Sequence, residues 1–301
     1  MLLGTGACKN GSVVSTDTPA SGSIDIVADE SFAPLIKTEI STFSSLYKEA
    51  AIHAKFLPEE SEVAEFFRNP DIRLLIISRR LTEDEKKYFE QLGLPPREIK
   101  IAIDAVAFVI NHENTDSNLQ YKQIADILSG KITNWMEINP TSILGNISVV
   151  FDNQQSSTVR YLREKVLGGN QFTKNVFAVD SNPAVIDYVA KNPSAIGVIG
   201  ASWISNKEDD ATANLLGRIK VVAVSRQDSS SGFYVPSKRF IYSMQYPFLR
   251  ELFIVSQEKH SGLGTGFATY VASDEGQRIV QRAGLMPVDR AVRTIELKNE
   301  F

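Results

Sequence analysis

Residues 149–169, VVFDNQQSSTVRYLREKVLGG, constrain the chain more than any other stretch. An apolar run at Val149–Phe151 ends in a polar turn and passes into a helical pattern whose first residues are Ser156, Ser157 and Thr158. No acidic side chain stands in that first helical turn. A strand that feeds a helix in this way belongs in an α/β sheet. It aims the free N–H groups and the positive end of the helix dipole at one spot beyond the strand. Hydroxyls at that spot have two uses: capping the helix, the commoner fate of serine there, or completing a seat for an anion. Arg160 follows in the same turn, where a cation is unfavourable by roughly 0.3–1 kcal/mol, so it requires a partner or a task.

The same grammar recurs along the chain. In SIDIVADESFAPLIK a short strand, Ile24–Val27, leads through a turn containing Ser31 into a helix with Pro34 in its first turn, where proline is tolerated. Capping by Ser31 is the simple reading of that turn. A strand over Ala51–Phe56 leads through Pro58-Glu59-Glu60-Ser61 into another helix; two glutamates there suit the dipole and would repel an anion. A buried strand, Leu74–Ile77, ends in Ser78-Arg79-Arg80, and Thr82 with Glu85 forms a capping box for a helix stopped by Gly93. Arginines at a strand's carboxyl end matter because open α/β sheets place ligands at that edge, and the guanidinium fork fits an oxyanion. For Arg80 a surface pair with Glu83 or Asp84 is an equal alternative.

Two long apolar strands stand apart. Ile99–Asn111 is interrupted by Asp104, a costly position unless the acid is solvated at a bend or bonded at a junction between domains. Leu252–Ser256 follows Tyr246-Pro247. These two strands read as passes between lobes. Elsewhere a helix closes at Gly130 with Trp135 packing after it, another opens at Asn182-Pro183, a strand runs over Ala195–Gly200, and IKVVAVSR reads as one further strand. Strands alternating with helices predict α/β architecture with mainly parallel sheets.

A chain of 301 residues, 43% hydrophobic and 23% charged, is long enough for two cores. Its net charge of −4 argues against nucleic acid, though not against a small anion held by a local field. No apolar run approaches the roughly 18 residues that span a bilayer. One cysteine and three histidines without ligand spacing predict no metal and no cofactor, and no nucleophile–base set points to catalysis.

Taken together, the segments SFAPLI, ISRRLTEDE, DAVAFVINHEN, ILSGKITNW, SSTVRYLREKVL, AVIDYVAKNPSAIGVIG, YPFLRELFIVS and FATYVASDEGQRIVQRAGLMPV resemble the periplasmic phosphate-binding family, the substrate-binding component of bacterial ABC phosphate importers. The resemblance runs from about Ser23 to Val288. It implies a type II periplasmic-binding-protein fold, with two α/β lobes, a ligand cleft and two crossover strands. Residues 22–106 plus 248–301 would form lobe I, and 107–247 lobe II. It implies a monomer that captures phosphate or a similar tetrahedral oxyanion and delivers it to a membrane permease, with no enzymatic step.

Carried over by motif, the ligand residues are Ser31, Phe32, Ser61, Ser78, Ser156, Ser157 and Thr158. Ser61 fits less well, since the family offers a Gly/Ser-rich turn where this chain has Pro58-Glu59-Glu60. Asp152 stands where the family carries an arginine, Ser157 replaces a glycine, and the arginine after the threonine falls one place later, at Arg160. Two readings follow. Either Arg79 and Arg160 replace the missing charge, with Asp152 pairing Arg160 or accepting a phosphate proton, or the scaffold has changed or lost its ligand and serves as a sensory or protein-interaction module. The leader MLLGTGACKNGS resembles the end of a bacterial lipoprotein signal, although only six residues precede Ala7. It implies acylation at Cys8, residues 1–21 as leader remnant and flexible tether, and lipid anchoring at the periplasm or outer cell surface.

Overall fold

The computed structural model describes residues 17–94, 97–205, 210–226 and 232–288, so the expected lipidation site at Cys8 lies outside the described residues. The chain opens with β1 (Gly22–Asp29), α1 (Ala33–Leu46), β2 (Ala50–Leu57), α2 (Glu59–Arg68), β3 (Ile72–Ile77) and α3 (Glu83–Gln91). A fifteen-residue strand, β4 (Arg97–Asn111), follows. Then come β5 (Asn118–Gln120), α4 (Tyr121–Ser129), β6 (Ser148–Phe151), α5 (Ser157–Lys165), β7 (Val176–Ala178), α6 (Asn182–Lys191) and β8 (Ala195–Gly200). The chain continues through α7 (Ser202–Ser205), α8 (Asp210–Leu216), β9 (Ile219–Val221), β10 (Ala223–Ser225), β11 (Phe233–Tyr234) and α9 (Lys238–Tyr242). It closes with β12 (Leu249–Ser256), α10 (Leu263–Ala272), α11 (Asp274–Arg282) and β13 (Met286–Pro287).

Strands pair in the order β2-β1-β3-β12-β4-β8-β6-β7, and β4 belongs to both halves. Its first part, Arg97–Ala105, is antiparallel to β12; its second, Val106–Asn111, is antiparallel to β8 and β9. This explains its composition. A strand paired on both edges and covered on both faces is mostly apolar, and Ile101 to Asn111, with Asp104 inside it, is buried without a break. In the first half β1 pairs parallel with β2 and β3, while β12 with β3 and β13 with β4 are antiparallel. In the second half β6 pairs parallel with β7 and β8, so in this sheet the expectation of mainly parallel pairing holds only away from β4 and β12. The chain returns between halves at residues 246–248, where Tyr246 Oη donates to Val106 O (2.7 Å) and Val106 N to Phe248 O (2.9 Å).

Two readings change with the structure. IKVVAVSR divides at Val222, because β9 pairs with β4 whereas β10 joins β5 and β11 in a separate three-stranded sheet. Residues 17–21, expected as the end of a mobile tether, are held down. Leu263 N donates to Asp17 Oδ1 (2.8 Å), and Arg73 Nη1 lies 3.2 Å from Asp17 Oδ2 and 3.1 Å from Glu258.

Candidate functional site

The loops beyond the strand ends of the two halves meet, and their polar residues collect into two adjoining groups. The first centres on Arg250. Arg250 on β12 and Asp104 on β4 are register partners, and the guanidinium Nε donates to Asp104 Oδ2 at 2.8 Å with the two side chains 1% and 0% exposed. Burial pushes the Asp104 carboxyl up, and Arg250 pulls it back. This settles how the chain tolerates an acid inside an apolar strand: it is bonded at the junction. The guanidinium lies over the Phe32 ring, 4.7 Å from its centroid, and Nη1 donates to Ser157 Oγ at 2.7 Å. Among the described residues its Nη2 has no hydrogen-bond partner.

Around Arg250 the helix starts contribute as the local sequence dictates. Ser156 is the N-cap of α5, its Oγ accepting Val159 N, which leaves Ser157 Oγ free to face Ser31 Oγ at 3.4 Å. Ser31 is not the cap expected of it. Asp29 takes that place, accepting Ser31 N at 2.8 Å and freeing the serine hydroxyl. Burial, partly offset by Arg250, raises the Asp29 carboxyl to about 6. Burial, with Asp152 and Asp29 nearby, raises Glu30 to about 7. Ser202 Oγ donates to Ser31 O at 2.9 Å. A side chain at Gly200 would place its Cβ 3.2 Å from Ser31 O and 3.3 Å from Arg250 Nη2, so backbone sets the approach of the halves there.

Asp152, 2% exposed, does not pair with Arg160. Its oxygens accept Thr158 Oγ1 at 3.0 Å and Asn182 Nδ2 at 3.1 Å, and Asn182 Oδ1 in turn accepts Gly200 N at 3.2 Å. The aspartate therefore orders the α5 turn against α6 and β8, using hydroxyl and amide donors.

The second group centres on Glu59, the first residue of α2 and 3% exposed. Arg160 reaches across from α5 and donates to it through Nε and Nη2, the latter at 3.0 Å. Ser78 Oγ donates to Glu59 Oε2 at 3.0 Å, and Arg79 Nε stands 3.5 Å from Oε1. Arg79 is otherwise held by Glu85, at 2.7 and 2.8 Å, and Arg160 by Glu164 at 3.1 Å. Beside Glu59, burial and the charges of Asp29 and Glu59 raise the Glu62 carboxyl well above its ordinary value. At the rim, Glu60 N donates to Gln155 O and half-buried Ser61 bonds Gln155 Oε1, each at 3.3 Å. Ser61 thus meets the opposite half without entering either buried group.

The structure brings together Ser31, Phe32, Asp152, Ser156, Ser157 and Thr158 around Arg250, and Ser78, Arg79 and Arg160 around Glu59. Sequence reasoning missed Arg250 and Glu59. A lone acid and a lone arginine, each attached to a long apolar strand, were the available signal for Arg250. For Glu59 the only signal pointed the other way, to a helix dipole.

Comparison with known proteins agrees with this architecture. The sequence pattern of the PBP superfamily domain matches residues 13–275. The phosphate-binding protein PstS of Staphylococcus epidermidis is 29% identical over 204 residues; the match covers 66% of this chain and 59% of that protein, so the chain spans about three fifths of its length. The phosphate-binding protein PstS of Staphylococcus aureus is 25% identical over 276 residues, covering 90% of this chain and 80% of that protein. A Clostridium perfringens structure with bound phosphate, assigned as a phosphate ABC transporter substrate-binding protein, superposes with a TM-score of 0.73 at 25% identity, covering 89% of this chain and 100% of that one. An ABC-type phosphate transport receptor from Vibrio cholerae shares the fold at 20% identity, with a TM-score of 0.65 over 88% of this chain and 100% of that one.

Proposed function

The chain belongs to the PBP superfamily, and from that membership we propose that it is an extracytoplasmic solute-binding protein. It takes phosphate, or a similar tetrahedral oxyanion, into the cleft between its halves and delivers it to the permease of an ABC importer. In this reading residues 22–106 with 248–301, and residues 107–247, are the two lobes. The protein acts as a monomer tethered by acylated Cys8 at the periplasm or outer cell surface. The ligand is held by Ser31, Ser78, Arg79, Ser156, Ser157, Thr158, Arg160 and Arg250, with Phe32 as floor and Ser61 at the rim. One observation carries it: the Arg250 guanidinium is 1% exposed, bonds Ser157, and keeps Nη2 without a partner among the described residues. A buried donor on a cation asks for an acceptor oxygen, and the hydroxyls of Ser31 and Ser157 stand with it.

The test is calorimetric titration of protein stripped of endogenous ligand, with phosphate first and sulfate, arsenate and molybdate as competitors. The expected result is phosphate-selective binding that weakens about tenfold, or roughly 1.4 kcal/mol, in Ser157→Ala. A second reading, a scaffold with altered or lost ligand that serves as a sensory or protein-interaction module, is favoured by the acids Asp29, Glu59 and Asp152, buried where an anion would sit. Silence across the whole panel would establish that reading and remove transport.

A further inference from the structure

Glu59 differs in one respect from the other buried acids of the site. Asp104 bonds Arg250 within the first half, Asp29 bonds the backbone of Ser31 in the same turn, and Asp152 bonds Thr158 and Asn182 within the second half. Asp29 also feels the Ser157 hydroxyl opposite, but Glu59 alone among these forms an ion pair across the halves. Its carboxylate accepts the Ser78 hydroxyl from the end of β3 and two N–H groups of Arg160 from α5, with Arg79 Nε at 3.5 Å. A hydroxyl at a strand end and two guanidinium groups are the donors a tetrahedral oxyanion would use, and here an oxyanion already has them. It stands at the positive end of α2, where a negative charge is stabilised.

We propose that Glu59 is a tethered oxyanion: its carboxylate fills the ligand seat formed by Ser78, Arg79 and Arg160 and holds the cleft shut without ligand, so that a free anion binds there only by displacing it. The inference rests on the oxyanion-binding reading and adds what controls it. Exchanging one anion for another leaves the two arginines equally compensated, so net affinity is low while Glu59 is present. Replacing the carboxylate with an amide leaves two partly buried cations short of the anion they share, with only Glu85 and Glu164 at the outside, an arrangement that favours uptake of one from solution.

The experiment compares full-length wild type, Glu59→Gln and Glu59→Ala, each checked for cooperative thermal unfolding. It pairs calorimetric titration with inorganic phosphate and small-angle X-ray scattering with and without phosphate. Both variants are expected to bind phosphate at least tenfold more tightly than wild type. Free of ligand they should scatter as a more expanded particle than wild type and contract on adding phosphate. Unchanged or weaker phosphate binding in variants as compact as wild type overturns the proposal while leaving transport intact if wild type itself binds. If no protein binds any oxyanion, transport falls, and scattering alone judges the latch: expansion in Glu59→Gln keeps it, and a wild-type profile removes it. A ligand-free wild type that scatters as an open particle overturns the latch whatever the variants do.

Discussion

Arg250 and Arg160 each meet a buried acid, and the two meetings differ in kind. Arg250 and Asp104 are neighbours in a sheet, 1% and 0% exposed, fixed by the register of β12 on β4. Arg160 and Glu59 belong to opposite halves, 15% and 3% exposed, and touch only because the cleft is closed. In the first pair the partners remain together for as long as the sheet exists. In the second, separating the halves returns both charges to water. Equal chemistry therefore yields a permanent element in one place and an exchangeable one in the other, and the deciding variable is whether backbone pairing or domain closure brings the charges together.

The largest effect expected from breaking this contrast is at Arg250. Arg250→Leu strands Asp104 in the core and should cost about 3–5 kcal/mol in denaturant unfolding, and Asp104→Asn added to it should recover part of the loss. A buried acid with no arginine sharpens the same point. Glu39 on α1 is fully buried, both its oxygens lack partners among the described residues, and burial pushes its carboxyl from 4.5 up to about 9. Because the folded value lies above the unfolded one, its contribution is intact below about pH 4.5 and is lost as pH rises toward 9, with a slope of at most about 1.4 kcal/mol per pH unit. Melting temperatures of Glu39→Met should accordingly fall less than those of wild type between pH 6 and 8.

Smaller again is the cleft pair. Arg160→Met should lower global stability by about 1 kcal/mol, since opening lets water reach Glu59, yet it should abolish the gain in phosphate binding expected of Glu59→Gln. A stability loss as large as that of Arg250→Leu would erase the distinction. Least of all, Lys87→Ala, which removes a pair with Asp84 whose side chains are 65% and 93% exposed, should shift stability by less than about 0.5 kcal/mol.

Local chemistry was legible in the sequence because it is written in neighbouring residues. The Thr82–Glu85 capping box, the left-handed stop at Gly130 and the strand Ala195–Gly200 are all where the pattern puts them. The α/β alternation and the family resemblance followed from the same short-range signals. What escaped is what the sheet order decides. Arg250 and Asp104 lie 146 residues apart, and Arg160 and Glu59 lie 101 apart. No periodicity links such positions, since their meeting depends on β12 inserting between β3 and β4 and on closure of the halves. Arg160 plainly needed an acid, and Asp152, at the foot of the same turn, was the one the sequence suggested; it turned out to be occupied by Thr158 and Asn182, and Arg160 pairs instead with Glu59 and Glu164.

The shared strand β4 has a mechanical meaning. Fifteen residues at about 3.4 Å each make a rod of roughly 50 Å, with Asp104 at its middle. Bending such a rod by about 10° at its centre carries a point some 24 Å away through about 4 Å, more than the reach of a hydrogen bond. The Asp104–Arg250 pair thus sits at the fulcrum of a lever, and the same guanidinium that steadies the pivot extends to Ser157 at the cleft, so a modest flexure parts contacts far from the pivot and moves the one at Ser157 least.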